Sequence, residues 1–201
     1  MIKLLKWFKK KCPFLWRFIE YSNGLIVQIF YEKQIRKAIG SVLEKQPPSE
    51  YTYREVRRQD IPQLMSLFSA QPDDFYAFFR PHDFDRKTLI RLQGNSAFSM
   101  FGVFDREKIV GYFFIRFFFN RKAFRGKMVD IDYQGKGIAK QMGRITTDIA
   151  WCAGFRLFAT VSRSNLSSIA SSKAVNYIRV VKSLPDDYLY VEYTKAETES
   201  C

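Results

Sequence analysis

Apolar and polar positions along this chain change period several times, and each change marks a predicted element. Residues 1–11 interleave Ile2, Leu4, Leu5, Trp7 and Phe8 with Lys3, Lys6, Lys9, Lys10 and Lys11. Residues 14–30 continue with pairs at helical spacing: Phe14 with Phe18, Leu15 with Ile19, Leu25 with Ile29 and Ile26 with Phe30. Together they predict a basic amphipathic helical segment. Arg17 and Glu20 interrupt its apolar run and no small-residue cleavage site follows, which argues against a membrane-spanning helix and against a cleaved signal peptide. Gln46-Pro47-Pro48-Ser49 reads as a linker, because paired prolines stop a helix and stiffen the connection. The expected division is an appendage over residues 1–48 and one domain over 49–201.

Beyond the linker the period becomes two. Tyr51 to Val56 alternates like a strand, and Asp60 is placed to cap a helix running to Phe68, with Pro62 tolerated in its first turn. A shorter helix is predicted from Arg86 to Gln93. Two apolar runs, Phe98 to Phe104 and Ile109 to Phe118, flank Asp105-Arg106-Glu107-Lys108 and predict an antiparallel hairpin. A strand over Gly126 to Tyr133 is expected next. A helix from about Gly137 to Ala153 follows, with Ile138, Met142, Ile145, Ile149 and Cys152 on its inner face. Phe155 to Ser162 reads as a strand and Leu166 to Val175 as a helix, with Tyr177 to Lys182 and Tyr188 to Tyr193 as a closing strand pair. The fold class is therefore α/β: a mixed, mostly antiparallel sheet with flanking helices.

Composition narrows the class. With 201 residues, 47% of them hydrophobic, the chain can build one sizeable core. Aromatics reach 17% and gather in Phe75 to Phe84 and Tyr112 to Phe119, which suggests a broad apolar wall or a deep core. The net charge of +13 is concentrated at the front, where residues 1–48 hold ten Lys/Arg against three Glu. Such a segment suits the interface of an anionic membrane, or it packs on the domain or on a second subunit of a homodimer. Nucleic acid is the weakest of the partner readings, since no recognised binding motif accompanies the charge. Cys12, Cys152 and Cys201 are widely spaced and form no Cys-x-x-Cys pair, which favours a reducing, cytoplasmic compartment and argues against zinc. A single histidine, His82, excludes a histidine-rich metal centre.

The most specific stretch is Val129-Asp130-Ile131-Asp132-Tyr133-Gln134-Gly135-Lys136-Gly137-Ile138-Ala139, where a strand-like run breaks into a glycine turn that opens a helix. Backbone amides in such a turn, together with the helix N-terminus, can cradle a pyrophosphate. The positions Gln134, Gly137 and Ala139 resemble the Gln/Arg-x-x-Gly-x-Gly/Ala loop of the GCN5-related N-acetyltransferase (GNAT) superfamily. Asn165, between a strand and a helix, resembles that superfamily's asparagine near the pantetheine arm. The resemblance spans roughly residues 50–193. Asn176-Tyr177 stands where relatives end the following helix in Gly-Phe, and asparagine is the next-best residue for a left-handed helix cap.

The resemblance implies acetyl-CoA as cofactor, wedged between two splaying parallel strands. It implies that Val129 offers backbone groups to the pantetheine and that the amides of Gln134, Gly135, Lys136, Gly137, Ile138 and Ala139 bind the diphosphate, with charge from Lys136 and Lys140. Asn165 and Ser168 border the same arm. Acetyl transfer to an amine needs a base and a donor to the leaving thiolate. Strand alternation places Met128, Asp130 and Asp132 on one face, making Asp130 the candidate base, directly or through water. Asp130 and Asp132 can equally be structural strand-end carboxylates. Many relatives place a tyrosine donor seven residues after the asparagine, where this chain has Ser172. Either Ser172 or Ser168 then works through water, or Tyr177 substitutes, or turnover is low. His82, between aromatics and beside Asp83, borders the expected acceptor side and can bind the acceptor, relay a proton or merely cap a helix. Arg116, Arg121 and Arg125 can attract an anionic acceptor, although strand-flanking arginines are usually solvated.

The expected activity is an acetyl-CoA-dependent N-acyltransferase, cytoplasmic or peripheral to the inner face of the membrane. Its expected acceptor is a small-molecule amine: an amino sugar, nucleotide- or lipid-linked, in cell-surface polysaccharide synthesis. The alternatives are a protein or peptide N-acetyltransferase and a non-catalytic acyl-CoA-binding, membrane-associated module.

Overall fold

The computed structural model describes residues 13–72, 75, 76 and 78–194, with side chains from Phe18 onward. The amphipathic pattern of residues 1–11 lies outside the described residues. In chain order the elements are helix α1 (Pro13–Glu44), strand β1 (Thr52–Glu55), a 3-10 turn (Arg58–Asp60), α2 (Ile61–Ser69), α3 (Arg86–Gln93), β2 (Phe98–Asp105), β3 (Lys108–Phe117) and β4 (Lys122–Val129). A second 3-10 turn (Ile131–Tyr133) leads to α4 (Ile138–Cys152), β5 (Arg156–Ser162), α5 (Leu166–Lys173), β6 (Tyr177–Ser183) and β7 (Tyr188–Thr194).

The seven strands form one sheet in the order β1-β2-β3-β4-β5-β7-β6, antiparallel at every junction except β4–β5. The unbroken apolar run of β3 follows from burial on both faces. Phe113, Ile115 and Phe117 pack toward α1 and α4, while Tyr112 and Phe114 pack toward α2 and α3. Phe101 stacks on Phe113 at 4.9 Å between ring centroids, and Phe98 stacks on Phe114 at 4.9 Å on the opposite face. Each fully buried ring of this kind contributes about 1.5–3 kcal/mol.

Helix α1 runs to Glu44, beyond the helical-spacing pairs that end at Phe30 and within the 1–48 helical segment expected. Val27, Ile35, Ala38, Ile39 and Val42 enter the same core as Ile138, Met142 and Ile145 of α4. Asn23 clamps the end of β3, donating from Nδ2 to the Phe117 carbonyl at 2.9 Å and accepting from the Phe119 amide at 3.1 Å. Glu20 pairs with Arg91 and Arg116 at 3.0 and 2.9 Å. The opposite side of the helix leaves Ile29 and Phe30 72% and 70% exposed.

Three local expectations are corrected. Asp60 makes no side-chain cap for α2: it ends the first 3-10 turn, accepting from the Arg57 amide and from the Arg54 guanidinium, which holds its carboxyl below the usual range. The strand expected to reach Tyr133 stops at Val129, because residues 131–133 coil into the second 3-10 turn. Asn176 is not left-handed. It is buried and caps α5 through its side chain, donating from Nδ2 to the Ser172 carbonyl at 3.2 Å and accepting from the Thr147 hydroxyl at 2.5 Å.

Candidate functional site

The parallel junction of β4 and β5 is short. Lys122, Ala123 and Phe124 pair with Arg156, Leu157 and Phe158, after which the two strands diverge. Residues 125–129 remain bonded to β3, and residues 159–162 remain bonded to β7. The gap between them is a cavity of about 660 Å³ whose lining includes both diverging strand ends, the 134–140 turn, the start of α5 and Phe75, Phe78 and Phe79.

The glycine turn forms one end. Gly135 and Gly137 take φ of +77° and +78°, the left-handed region that favours glycine. Gly137 is the N-cap of α4, and its carbonyl accepts from the amides of Lys140 and Gln141 at 3.1 Å. The amides of Gly135 to Ala139 close no backbone hydrogen bond among the described residues, so they are left for a ligand at the positive end of a 15-residue helix. A Cβ at Gly137 would meet nothing within 4 Å, so the turn has open space beside it, and Gly137 itself lines the cavity. This arrangement fits a diphosphate.

Val129, Gln134, Gly135, Gly137, Ile138, Ala139, Asn165 and Ser168 are brought together in the cavity wall. Asn165 caps α5, accepting from the Ser168 amide at 3.0 Å and leaving its side-chain N–H groups for other partners. Lys140 lines the mouth, whereas Lys136 stands outside the lining with its Nζ 4.4 Å from the Tyr133 ring centroid.

Of the candidates for proton transfer, Ser168 lines the cavity, whereas Asp130, Ser172, His82 and Tyr177 lie outside the lining. Strand alternation does not reach Asp130, since β4 ends one residue earlier. Its buried carboxylate accepts from the Asp132 amide at 3.2 Å and faces Lys108 at 3.8 Å. Ser172 is 1% exposed, and its hydroxyl accepts from Arg125 at 3.3 Å. His82 sits on the other face of the sheet with its Nδ1 2.9 Å from the Asp83 carbonyl and its Nε2 2.9 Å from the Tyr112 hydroxyl. A carbonyl only accepts, so in the neutral ring the proton is on Nδ1 and Nε2 accepts from the Tyr112 hydroxyl. Phe79, which lines the cavity, contacts Phe84 and Tyr112, the rings that in turn contact His82.

Arg125 and Lys127 are the residues that pattern reading undervalued. Arg125 is buried rather than solvated: Nη1 donates to the Gly143 carbonyl and to the hydroxyls of Thr146 and Thr147 at 2.8–3.1 Å, and the guanidinium lies 3.6 Å over the Tyr193 ring. Lys127 Nζ donates to the Ala139 carbonyl at 2.8 Å and to Ser171 at 2.9 Å. Burial, with the Arg125 charge added, pulls the Lys127 ammonium down to about 7. Gln71 was also missed; its side chain accepts from the Ile131 amide at 3.2 Å and anchors the turn after β4. The available signal was two cations at alternate positions of a strand whose neighbours are apolar.

A family model described as the acetyltransferase (GNAT) family matches residues 64–173. No curated protein sequence matches significantly. Among solved structures, the GNAT domain of PAT from S. lividans is similar with a TM-score of 0.60 and 17% identity, over 70% of this chain and 88% of that one. The ribosomal-protein-S5-alanine acetyltransferase from Vibrio fischeri gives 0.60 and 17%, over 78% and 98%. RimJ from Mycobacterium smegmatis, in complex with CoA-disulfide, gives 0.60 and 19%, over 73% and 82%.

Proposed function

Because the chain belongs to the GNAT acetyltransferase family, whose acyl donor is acetyl-CoA, we propose that it acetylates the amine of a sugar carried on a nucleotide or lipid phosphate, in cell-surface polysaccharide synthesis. The observation that carries this reading is the chemistry of the cavity wall. Phe75, Phe78 and Phe79 offer faces on which a sugar ring can stack, and Arg125, Lys127 and Lys140 supply positive charge. Among the described residues no carboxylate lines the cavity. A polyamine or other polycationic acceptor would be repelled there, while a single amine attached to an anionic carrier is attracted.

Bound acetyl-CoA supplies the activated acyl group. The amides of Gly135 to Ala139 hold the diphosphate, with Lys140 beside them. The Val129 backbone and the Asn165 side chain orient the pantetheine, and Ser168 flanks it. The diverged strands exclude water from the thioester, and the open mouth admits the acceptor. Asp130, Ser172 and His82 act as positioning residues: Asp130 fixes the turn after β4, Ser172 holds Arg125, and His82 backs the aromatic wall through Tyr112.

The exposed apolar side of α1, with Phe18, Ile19, Ile26, Ile29 and Phe30, supports attachment to an anionic membrane surface where lipid-linked sugars are met. No helix among the described residues is long and apolar enough to cross a membrane.

The test is CoA release over an acceptor panel: a nucleotide-linked amino sugar, the same sugar without its nucleotide, a polyamine and an N-terminal peptide. The expected order puts the nucleotide-linked sugar first. Preferential peptide acetylation overturns the sugar assignment, and CoA binding without release on any acceptor favours a non-catalytic module. Flotation with anionic liposomes, comparing the full chain with one carrying Ile29→Glu and Phe30→Glu, checks the membrane contact. Equal flotation removes it.

A further inference from the structure

Positions 125 and 127 of β4 point toward α4 and α5, where apolar side chains are the usual choice. The structure instead sets a buried guanidinium beside a partly buried lysine, with only neutral hydrogen-bond partners. Arg125 reaches the Gly143 carbonyl, Thr146, Thr147 and Ser172. Lys127 reaches the Ala139 carbonyl and Ser171. Neither makes a salt bridge among the described residues, although both line the acyl-CoA cavity. Two adjacent cations withdrawn from solvent, one wholly and one in part, destabilise a fold without an anion, so the arrangement suits a site where negative charge arrives or develops.

The cavity offers few alternatives for handling a leaving thiolate. From α5 it presents only serines beside Asn165 and Leu166, and β5 contributes no ionisable side chain. Tyr133 commits its hydroxyl to Asp105 at 2.9 Å, Tyr193 lies beneath Arg125, and Lys140 stands exposed at the mouth beside the glycine turn. A thiol has an ordinary pKa near about 8.5, and proton transfer is most effective from a donor of comparable acidity. An ordinary lysine or arginine is far too weak an acid. Lys127, lowered to about 7 by burial first and by Arg125 second, is matched to the task.

We propose that Lys127 is the proton donor to the sulfur of coenzyme A as it leaves, with Arg125 as the fixed charge that stabilises the developing thiolate. In the step, the acceptor nitrogen bonds to the acetyl carbon while the carbon–sulfur bond breaks. The sulfur keeps the bonding pair and takes a proton from Lys127 Nζ. The proton lost by the amine passes to water at the mouth, and neutral Lys127 regains one from solvent. This inference rests on the acetyl-CoA reading of the cavity.

The tests are the thiol pKa of CoA bound to the full chain, titrated by ultraviolet thiolate absorbance in the wild type and in Arg125→Met, and the pH profile of CoA release from acetyl-CoA with hydroxylamine as the amine, in the wild type and in Lys127→Met and Lys127→Arg. Calorimetry establishes binding first, and circular dichroism establishes folding. Bound thiol in the wild type should titrate about one unit below free CoA because of the fixed Arg125 charge, and Arg125→Met should raise it by a similar amount. The rate should fall about 100-fold in Lys127→Arg, which keeps the charge but cannot release its proton, and its decline above pH 7 should disappear. If Lys127→Met binds CoA normally and keeps both the wild-type rate and its decline above pH 7, the proposal is overturned. If the wild type binds no CoA, the reading of the cavity fails instead.

Discussion

Arg125 on β4 and Ser172 on α5 meet at 3.3 Å, guanidinium Nη2 donating to hydroxyl Oγ. That bond joins the strand that diverges from β5 to the helix that closes the cavity over it, and it turns a candidate acid into the support of a buried cation. Ser172→Ala should lower stability by about 1 kcal/mol, the net worth of one such bond, and leave CoA affinity within a factor of about two. Urea unfolding and calorimetry check the two halves. A loss of CoA binding in this variant would place the hydroxyl on the ligand rather than on Arg125.

Gly137 combines left-handed backbone with open space beside it. Gly137→Val puts a β-branched residue where L-residues incur roughly 1–2 kcal/mol of strain, and it obstructs the diphosphate cradle. CoA affinity should drop at least about tenfold while the far-ultraviolet spectrum is retained. Unchanged affinity by calorimetry would remove the turn from the site.

Gly126 tests the aromatic packing behind the cavity. A Cβ there would stand 2.4 Å from Phe114 Cε1 and 3.2 Å from Phe79 Cε2. Both rings are held by neighbours, so Gly126→Ala should lower stability by about 1–3 kcal/mol through overpacking. Because Phe79 also lines the cavity, acceptor KM should rise more than CoA affinity falls. Denaturant midpoints and steady-state kinetics separate the effects.

His82→Ala removes the acceptor of the Tyr112 hydroxyl, which burial holds well above its ordinary pKa. An unsatisfied buried hydroxyl costs about 1–3 kcal/mol, so the melting temperature should fall. His82→Asn, which can still accept that bond, should recover part of the loss. CoA affinity should be unchanged in both, as the ring lies outside the cavity lining.

Lys127 also links stability to pH. Its folded pKa, about 7, lies below the ordinary lysine value of 10.5, so between those values the unfolded chain binds more protons than the folded one. The burial penalty is fully present below pH 7 and is relieved as pH rises toward 10.5. Melting curves from pH 6 to 10 should therefore show the wild type gaining on Lys127→Met as pH increases. Parallel curves would mean that Lys127 titrates normally.

How much of this was legible beforehand depended on whether local sequence carried the physics. Helix α3 was readable to the residue, since Asp85 caps it and Gly94 follows it. The β2–β3 hairpin was legible in its two apolar runs, and the glycine turn in its spacing. The strand end was misplaced because the alternation rule was extended past Val129 through a turn that Gln71, distant in sequence, helps to hold.

Periodicity, capping and turn residues determined the order of elements, the mixed sheet and the position of the glycine cradle, because each depends on neighbours within a few residues. The tertiary structure alone decided which side chains meet in the cavity. Arg125 reads locally as a solvated strand cation, and only the packing of α4 and α5 across β4 removes it from water and draws Lys127 partly in beside it. Burial and charge proximity, which set what those groups can do, depend on distances between segments and are not written in the spacing along any one of them.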